Sequence, residues 1–360
     1  MQKISLKVTA AEIFVFVMQL LYFAASSEVS QSDFYDLILI FGYSFAGLMA
    51  ILACMTKRID LQSILKLVFI VALVVATALN SAGREFVLLI LFLIVLNNSE
   101  QDRIVSAFYI ADIVALIVNV CLSVAGIYSI YSQYNSDYMT FGFLNSNFLG
   151  IMIFDIVALL IVRTNGQKIS AYIVAALAGL FCWQYAYCRS AALSIIILLF
   201  FSLFRKAFEG KRVFSFSLKF LYVILAGVSI VLGKIGVKNS ILMMLDGVLS
   251  GRIIAWNVYF NNKPITLLGA MFYTGVFYPL DNAYLFLLFR YGLIVFAIYG
   301  VLNYLVSKRM IASKSYALQI VFVALSFYSL MEFSPMSVFN NIGLALLTTK
   351  NVNKEEREPE

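Results

Sequence analysis

The sequence predicts an all-α polytopic membrane protein with about twelve transmembrane helices, one large outer loop containing short helices, and N- and C-termini on the cytoplasmic side. Three observations point there. Of 360 residues, 62% are hydrophobic and 12% charged, whereas soluble domains average about 45–50% apolar and about 25% charged. Apolar runs near the ~20 residues needed to cross a bilayer recur from one end of the chain to the other. Of the 26 Lys and Arg residues, 19 fall on one alternate set of connections and 7 on the other, the asymmetry of the positive-inside rule.

The first expected span, 10–26, follows Lys3 and Lys7 and ends in Ala24, Ala25 and Ser26. It resembles a secretory leader, but the chain beyond is already polytopic and the run is long, so it is expected as an uncleaved crossing. Further spans are expected at 35–55, 61–80, 84–98, 104–127, 146–162, 169–187, 190–204, 213–233, 282–304, 316–331 and 335–348. The short span 84–98 follows from charge: without it every later connection would change sides and the asymmetry would reverse. Residues 1–349 are thus expected as one transmembrane domain and 350–360 as a charged cytoplasmic tail. Two outer segments stand out, 128–146, rich in Tyr, Ser and Asn, and the much longer loop 234–281, a candidate functional element. No internal repeat is visible, which argues against transporters built from two related halves.

The chain has no histidine, which excludes a Ser-His-Asp triad, a histidine base and His-ligated zinc. Cys54, Cys121, Cys182 and Cys188 all lie in apolar runs with no CxxC spacing and read as small hydrophobes. There is no Walker A sequence, no GxGxxG and no DxD pair. No metal and no cofactor are expected, and the substrate should arrive already activated, in or at the membrane. The net charge of +7 sets orientation and does not imply a nucleic-acid partner.

Outer-side arginines are the positive signal, because a guanidinium stays charged and offers a planar fork to phosphate oxygens. Arg84, Arg189, Arg252 and Arg290 lie at outer span ends or in the long loop. The alternative for Arg84 and Arg189 is snorkelling to the interface. Arg290 lies nine residues after Asp281, about 13 Å below the outer rim if a helix starts there. A charge that deep costs about 2.5–3.5 kcal/mol and calls for a water-filled cavity or a partner such as Asp112 or Asp155. In the loop, 250–259 reads as a short helix capped by Ser250, with Arg252, Trp256 and Tyr259 at i, i+4 and i+7 on one face. That face suits phosphate binding with sugar stacking, or an amphipathic helix lying on the membrane. Glu28, Asp33 and Asp36 belong to the first outer loop, and Asp246, Asp281 and Glu332 lie nearer these elements. Asp281 reads as a helix N-cap or a base. Glu332, at a helix end before Pro335, is the better candidate for a general base or a sugar-hydroxyl clamp.

The segments Leu144-Asn145-Ser146-Asn147-Phe148-Leu149-Gly150, Cys188-Arg189-Ser190-Ala191-Ala192-Leu193, Arg252 with Trp256, and Asp281-Asn282-Ala283-Tyr284-Leu285 leading to Gly292 follow one another on the outer side. In that order, over roughly 140–335, the chain resembles the O-antigen ligase/polymerase superfamily, and more narrowly a Wzy-type polymerase of O-antigen or capsular polysaccharide repeat units. The absence of histidine from the large loop departs from the ligases. An Arg followed by ten residues and then Gly, found in the loops of some polymerases, is also absent after Arg189, Arg252 and Arg290.

The resemblance implies a metal-independent glycosyltransferase of the bacterial cytoplasmic membrane. It would transfer a growing undecaprenyl-pyrophosphate-linked glycan onto the non-reducing end of an incoming lipid-linked repeat unit at the outer face. Glu332 or Asp281 would accept the hydroxyl proton, and Arg290, Arg189, Arg252 and Arg84 would meet the pyrophosphate. Trp256, Tyr259 and Tyr284 would hold sugar rings, and Asn145, Asn147 and Asn282 would contact substrate. The implied partners are the lipid-linked oligosaccharide, the bilayer, a chain-length regulator and a flippase. A lipid-linked oligosaccharide flippase or transporter and a peptidoglycan-type glycan polymerase are the alternatives.

Overall fold

Proline is absent before Pro264, and between polar capping residues the apolar runs wind into helices. The computed structural model describes residues 8–56, 68, 71, 84–132, 137–270 and 280–350, with Arg84 and Glu85 described in backbone only. The helices are α1 (Ala10–Ala25), α2 (Tyr35–Thr56), α3 (Arg84–Leu96), α4 (Gln101–Val124), α5 (Ser146–Arg163), α6 (Ile169–Gln184), α7 (Arg189–Leu203), α8 (Arg212–Ile235), α9 (Ser240–Val248), α10 (Arg252–Asn262), α11 (Ala283–Ala312) and α12 (Tyr316–Met331). Thr9 and Glu12 form a capping box at the start of α1, and Asn145 caps α5 by accepting from the Asn147 and Phe148 amides. No strand forms among the described residues.

By length and composition, α2, α4, α5, α8 and α11 are able to cross a membrane. The pair α9 and α10, bent by 108°, makes a sixth if it is one span, and α1, Phe86–Leu96, α6, α7 and α12 are shorter apolar helices. Apart from residues 68 and 71, the expected span 61–80 lies outside the described residues, as do 351–360 of the tail, 133–136 of the shorter outer segment and 271–279 of the longer one.

Contacts between helix ends show the helices alternating in direction. At one end, Glu28 donates its amide to Gly142 O, Leu144 to Ser26 O and Met139 to Tyr185 O, which joins the connections after α1, α4 and α6. At the other end, Lys350 donates to Ser99 O, Arg103 approaches Glu12 at 3.7 Å, and Arg205 donates to Asn165 O. Arg309 also donates to Thr349 O there. Arg103, Arg205, Arg309 and Lys350 thus lie at the end opposite Glu332.

One expected span is corrected. Residues 335–348 form only the short turns Ser334–Met336, Ile342–Ala345 and Leu346–Thr348. Pro335 lacks an amide donor, and the Asn341 side chain takes the Leu344 amide while donating to Pro335 O, so a continuous helix is replaced by local side-chain bonds. The segment still runs from Glu332 at one end to Lys350 at the other, and residues 340–349 are buried throughout. Irregular backbone at such depth is tolerated where protein surrounds it. Here α3, α11 and α12 do so, with Thr348 Oγ1 donating to Leu93 O.

Buried on nearly every face, α12 runs through the core against α7, α8 and α11. Its neighbour α11 is broken by a π-type turn at Leu287–Tyr291, ended by Gly292 at φ +84°. Segment 266–270 seals the break: Leu293 and Ile294 donate to Thr266 O and Leu267 O, and Ala270 donates to Phe289 O. A Cβ on Gly292 would stand 2.2 Å from Gly269 N, in a backbone conformation that side chains rarely adopt. Gly292→Ala is therefore expected to cost at least ~2 kcal/mol. Gly227→Ala, where a Cβ meets nothing within 4 Å, should be neutral or slightly stabilising. Thermal unfolding of the two purified variants, compared with the parent, checks both.

Candidate functional site

The Glu332 end gathers four side chains from segments far apart in sequence. Glu332 itself ends α12: its backbone leaves the helix at φ −144°, ψ 149°, while its amide still bonds Tyr328 O. That turn aims the carboxyl into the protein, where the residue is 3% exposed. Ser190, in the first turn of α7, donates its hydroxyl to Glu332 Oε1 at 2.8 Å.

Arg252 arrives from the long loop. Ser250 and Gly251 take positive φ angles of 59° and 81°, which reverses the chain between α9 and α10. Asp246 then reaches back across the reversal and caps α10, its Oδ1 accepting the Ile253 amide at 2.7 Å and the Ile254 amide at 3.2 Å. The cap expected from Ser250 is therefore supplied by Asp246. Ile253, Trp256 and Tyr259 pack with Leu280, Leu285, Leu288 and Phe289 into a second core, and this docking carries Arg252 inward.

The guanidinium of Arg252 is shared among several acceptors. Nε donates to Met331 O at 2.7 Å, Nη1 to Leu249 O at 3.2 Å, and Nη2 to Glu332 Oε1 at 2.5 Å. Nη2 also lies 3.5 Å from Ser190 Oγ and 3.9 Å from Asp281 Oδ2. One cation thus serves two carboxyls. Burial pushes the Glu332 carboxyl up to about 8; Arg252 pulls it down, Asp281 pushes it up, and the Ser190 hydroxyl pulls it down. Burial likewise raises Asp281 against the pull of Arg252, and raises the Tyr259 hydroxyl with help from Asp281. A buried carboxyl poised near neutrality beside a fixed cation is the arrangement expected of an acid–base site.

The other expected site residues lie elsewhere. Trp256 is 1% exposed and Tyr259 and Tyr284 are also buried, so their rings fill the core and are not open to stack on a sugar. The Tyr284 hydroxyl donates to Ser326 O. Asn282, not Asp281, caps α11: its Oδ1 accepts the Leu285 amide and its Nδ2 donates to Ser229 Oγ and Leu330 O. Asp281 is thereby left to face Arg252. Asn145 serves as a helix cap, and Asn147 Oδ1 accepts from Cys188 Sγ at 3.7 Å, close behind Ser190.

Exposed Arg189 donates to Gly247 O and lies over the Trp183 ring at 5.8 Å. Half-buried Arg290 sits on the π-type turn, while Arg252, Asp281 and Ser190 act on the Glu332 carboxyl and Arg252 acts on Asp281. Asp112, weighed as a partner for Arg290, instead accepts from Gln19 Nε2 at 2.8 Å. The Arg84 side chain lies outside the described residues.

Ser190 was not expected. It stands within the Cys188–Leu193 segment, but nothing in its sequence position separates it from other serines at helix starts. Among the described residues no group of three or more Asp, Glu or Cys side chains is placed to hold a metal. Comparison with protein-family models, with curated proteins and with solved structures finds no match to this chain.

Proposed function

We propose that this chain is a polysaccharide polymerase of the bacterial cytoplasmic membrane, transferring an undecaprenyl-pyrophosphate-linked glycan onto the non-reducing end of a lipid-linked repeat unit. The observation that carries the reading is the buried ion pair between Arg252 and Glu332, with Ser190 and Asp281 beside it. Glu332 accepts the proton of the attacking sugar hydroxyl. Arg252 stabilises the charge that grows on the departing pyrophosphate, exchanging one anionic partner for another. Arg189 and Arg290, flanking this end, draw in the anionic headgroup.

In this reading the Glu332 end faces outward, the basic end faces the cytoplasm, and twelve crossings alternate, the last being the irregular segment 335–348. A flippase supplies the repeat units and a chain-length regulator works alongside. A second reading, a transporter or flippase for lipid-linked oligosaccharide, draws on Asp112 and Asp155, buried midway along α4 and α5. Deleting the gene separates the two: loss of a polymerase leaves single repeat units on the cell surface, and loss of a flippase leaves none. Unchanged long-chain polymer in the deletion strain overturns both.

A further inference from the structure

Four oxygens buried near the middle of the bundle share one character: each accepts hydrogen bonds, and among the described residues none receives one. They are Asp112 Oδ2 on α4, Asp155 Oδ2 on α5, Gln19 Oε1 on α1 and Asn340 Oδ1 on the irregular segment. All four residues are at least nine-tenths buried, at 0%, 7%, 0% and 1% exposure in that order.

The two amides are held in their orientations. Gln19 Nε2 donates to Phe339 O at 3.0 Å and to Asp112 Oδ1 at 2.8 Å, while Asn340 Nδ2 donates to Ser334 O at 3.3 Å and to Tyr22 Oη at 2.6 Å. A backbone carbonyl only accepts, so turning either amide over would set oxygen against oxygen. Asp112, Asp155 and Asn340 border one small cavity, walled by Phe108, Leu325 and Phe339 and lined, among the described residues, by no Lys or Arg. Among the described residues, one oxygen of each carboxyl and an amide oxygen therefore converge in an apolar interior with neither a donor of their own nor a countercharge. Buried charge in that setting is costly unless neutralised.

We propose that this cavity binds a single monovalent cation of sodium size, ligated by Asp112, Asp155 and Asn340, with one proton kept between the two carboxyls so that the charge balances and Gln19 holding the Asp112 carboxyl in place. An all-oxygen donor set suits a hard cation. Magnesium keeps several waters and calcium takes six to eight oxygens, which so small a cavity does not supply. Irregular backbone threading the bundle beside the site gives Asn340 an approach that a regular helix would not. The site is independent of the Arg252 cluster and of the polymerase reading.

The test is thermal unfolding of the purified full-length protein in detergent, in sodium, potassium or choline chloride at equal ionic strength and mildly alkaline pH. Sodium at about 100 times its Kd should raise the melting temperature by about 5 °C relative to choline. In Asp112→Asn and Asp155→Asn the new amide supplies the missing donor, and the sodium response should flatten. Equilibrium dialysis with radioactive sodium should find one ion per wild-type chain, and this decides the matter alone if the variants fail to fold. No sodium-specific shift and no bound sodium in the wild type would mean that the pair is neutralised by its own protons, and would overturn the proposal. So would an undiminished sodium response in both variants.

Discussion

Arg252→Ala should be the most damaging single substitution at the Glu332 end, lowering stability by about 3–5 kcal/mol above about pH 8, where Glu332 is ionised and is left as a buried carboxylate without its partner. The guanidinium also satisfies the carbonyls of Met331 and Leu249, each left desolvated by the change. A drop of about 10 °C in melting temperature is the expected scale. Arg252→Lys should recover only part of it, since one ammonium does not reproduce the fork that reaches Met331 O and Glu332 Oε1 together. The decisive variant is the pair Arg252→Met with Glu332→Gln. Removing both charges takes away the penalty along with the attraction, so the double variant should unfold well above Arg252→Ala while making no polymer. Simple addition of the two single effects would show that the side chains do not interact.

Hydropathy was legible because every residue of a span reports on it. Arg252, Glu332 and Asp281 stood out for the same reason: charges beside apolar segments are costly and must be answered. What answers them was not legible. Ser190, Arg252 and Glu332 are brought together by the docking of α7, α10 and α12, and no local spacing encodes contacts across 62 and 80 residues. Trp256 and Tyr259 show the limit of helical periodicity, which says that they share a face with Arg252 but not that α11 covers that face. The apolar composition of 335–348 masked a signal that was present, since Pro335 and the pair Asn340-Asn341 interrupt any helix there. The cap at Ser250 failed because a left-handed turn carried Asp246 to the α10 amides from the helix before. That rearrangement depends on backbone angles, not on the neighbouring residue type.

Glu332→Gln should remove about 10²–10⁴-fold of polymer synthesis without loss of folded protein. The amide keeps an oxygen for Ser190 and Arg252 and gives up the ability to take a proton together with its charge, while Asp281 remains as a carboxyl beside Arg252. In the wild type the dependence on pH should show the same group. A base must be deprotonated, and burial holds Glu332 up to about 8, so synthesis should rise with pH until it levels near that value. Stability should run the other way. A carboxyl raised from an ordinary 4.5 favours the folded state in its protonated form, a contribution fully present below about 4.5 and lost as pH climbs through about 8. The melting temperature should therefore fall across that interval in the wild type and fall less in Glu332→Gln. Two neighbours turn this into a test of role. Ser190 pulls the Glu332 carboxyl down and Asp281 pushes it up, so Ser190→Ala should move the activity limb to higher pH and Asp281→Asn should move it to lower pH. Side chains that only held the fold together would lower the plateau in both variants and leave the limb where it was. Opposite displacements require that Glu332 carries the proton.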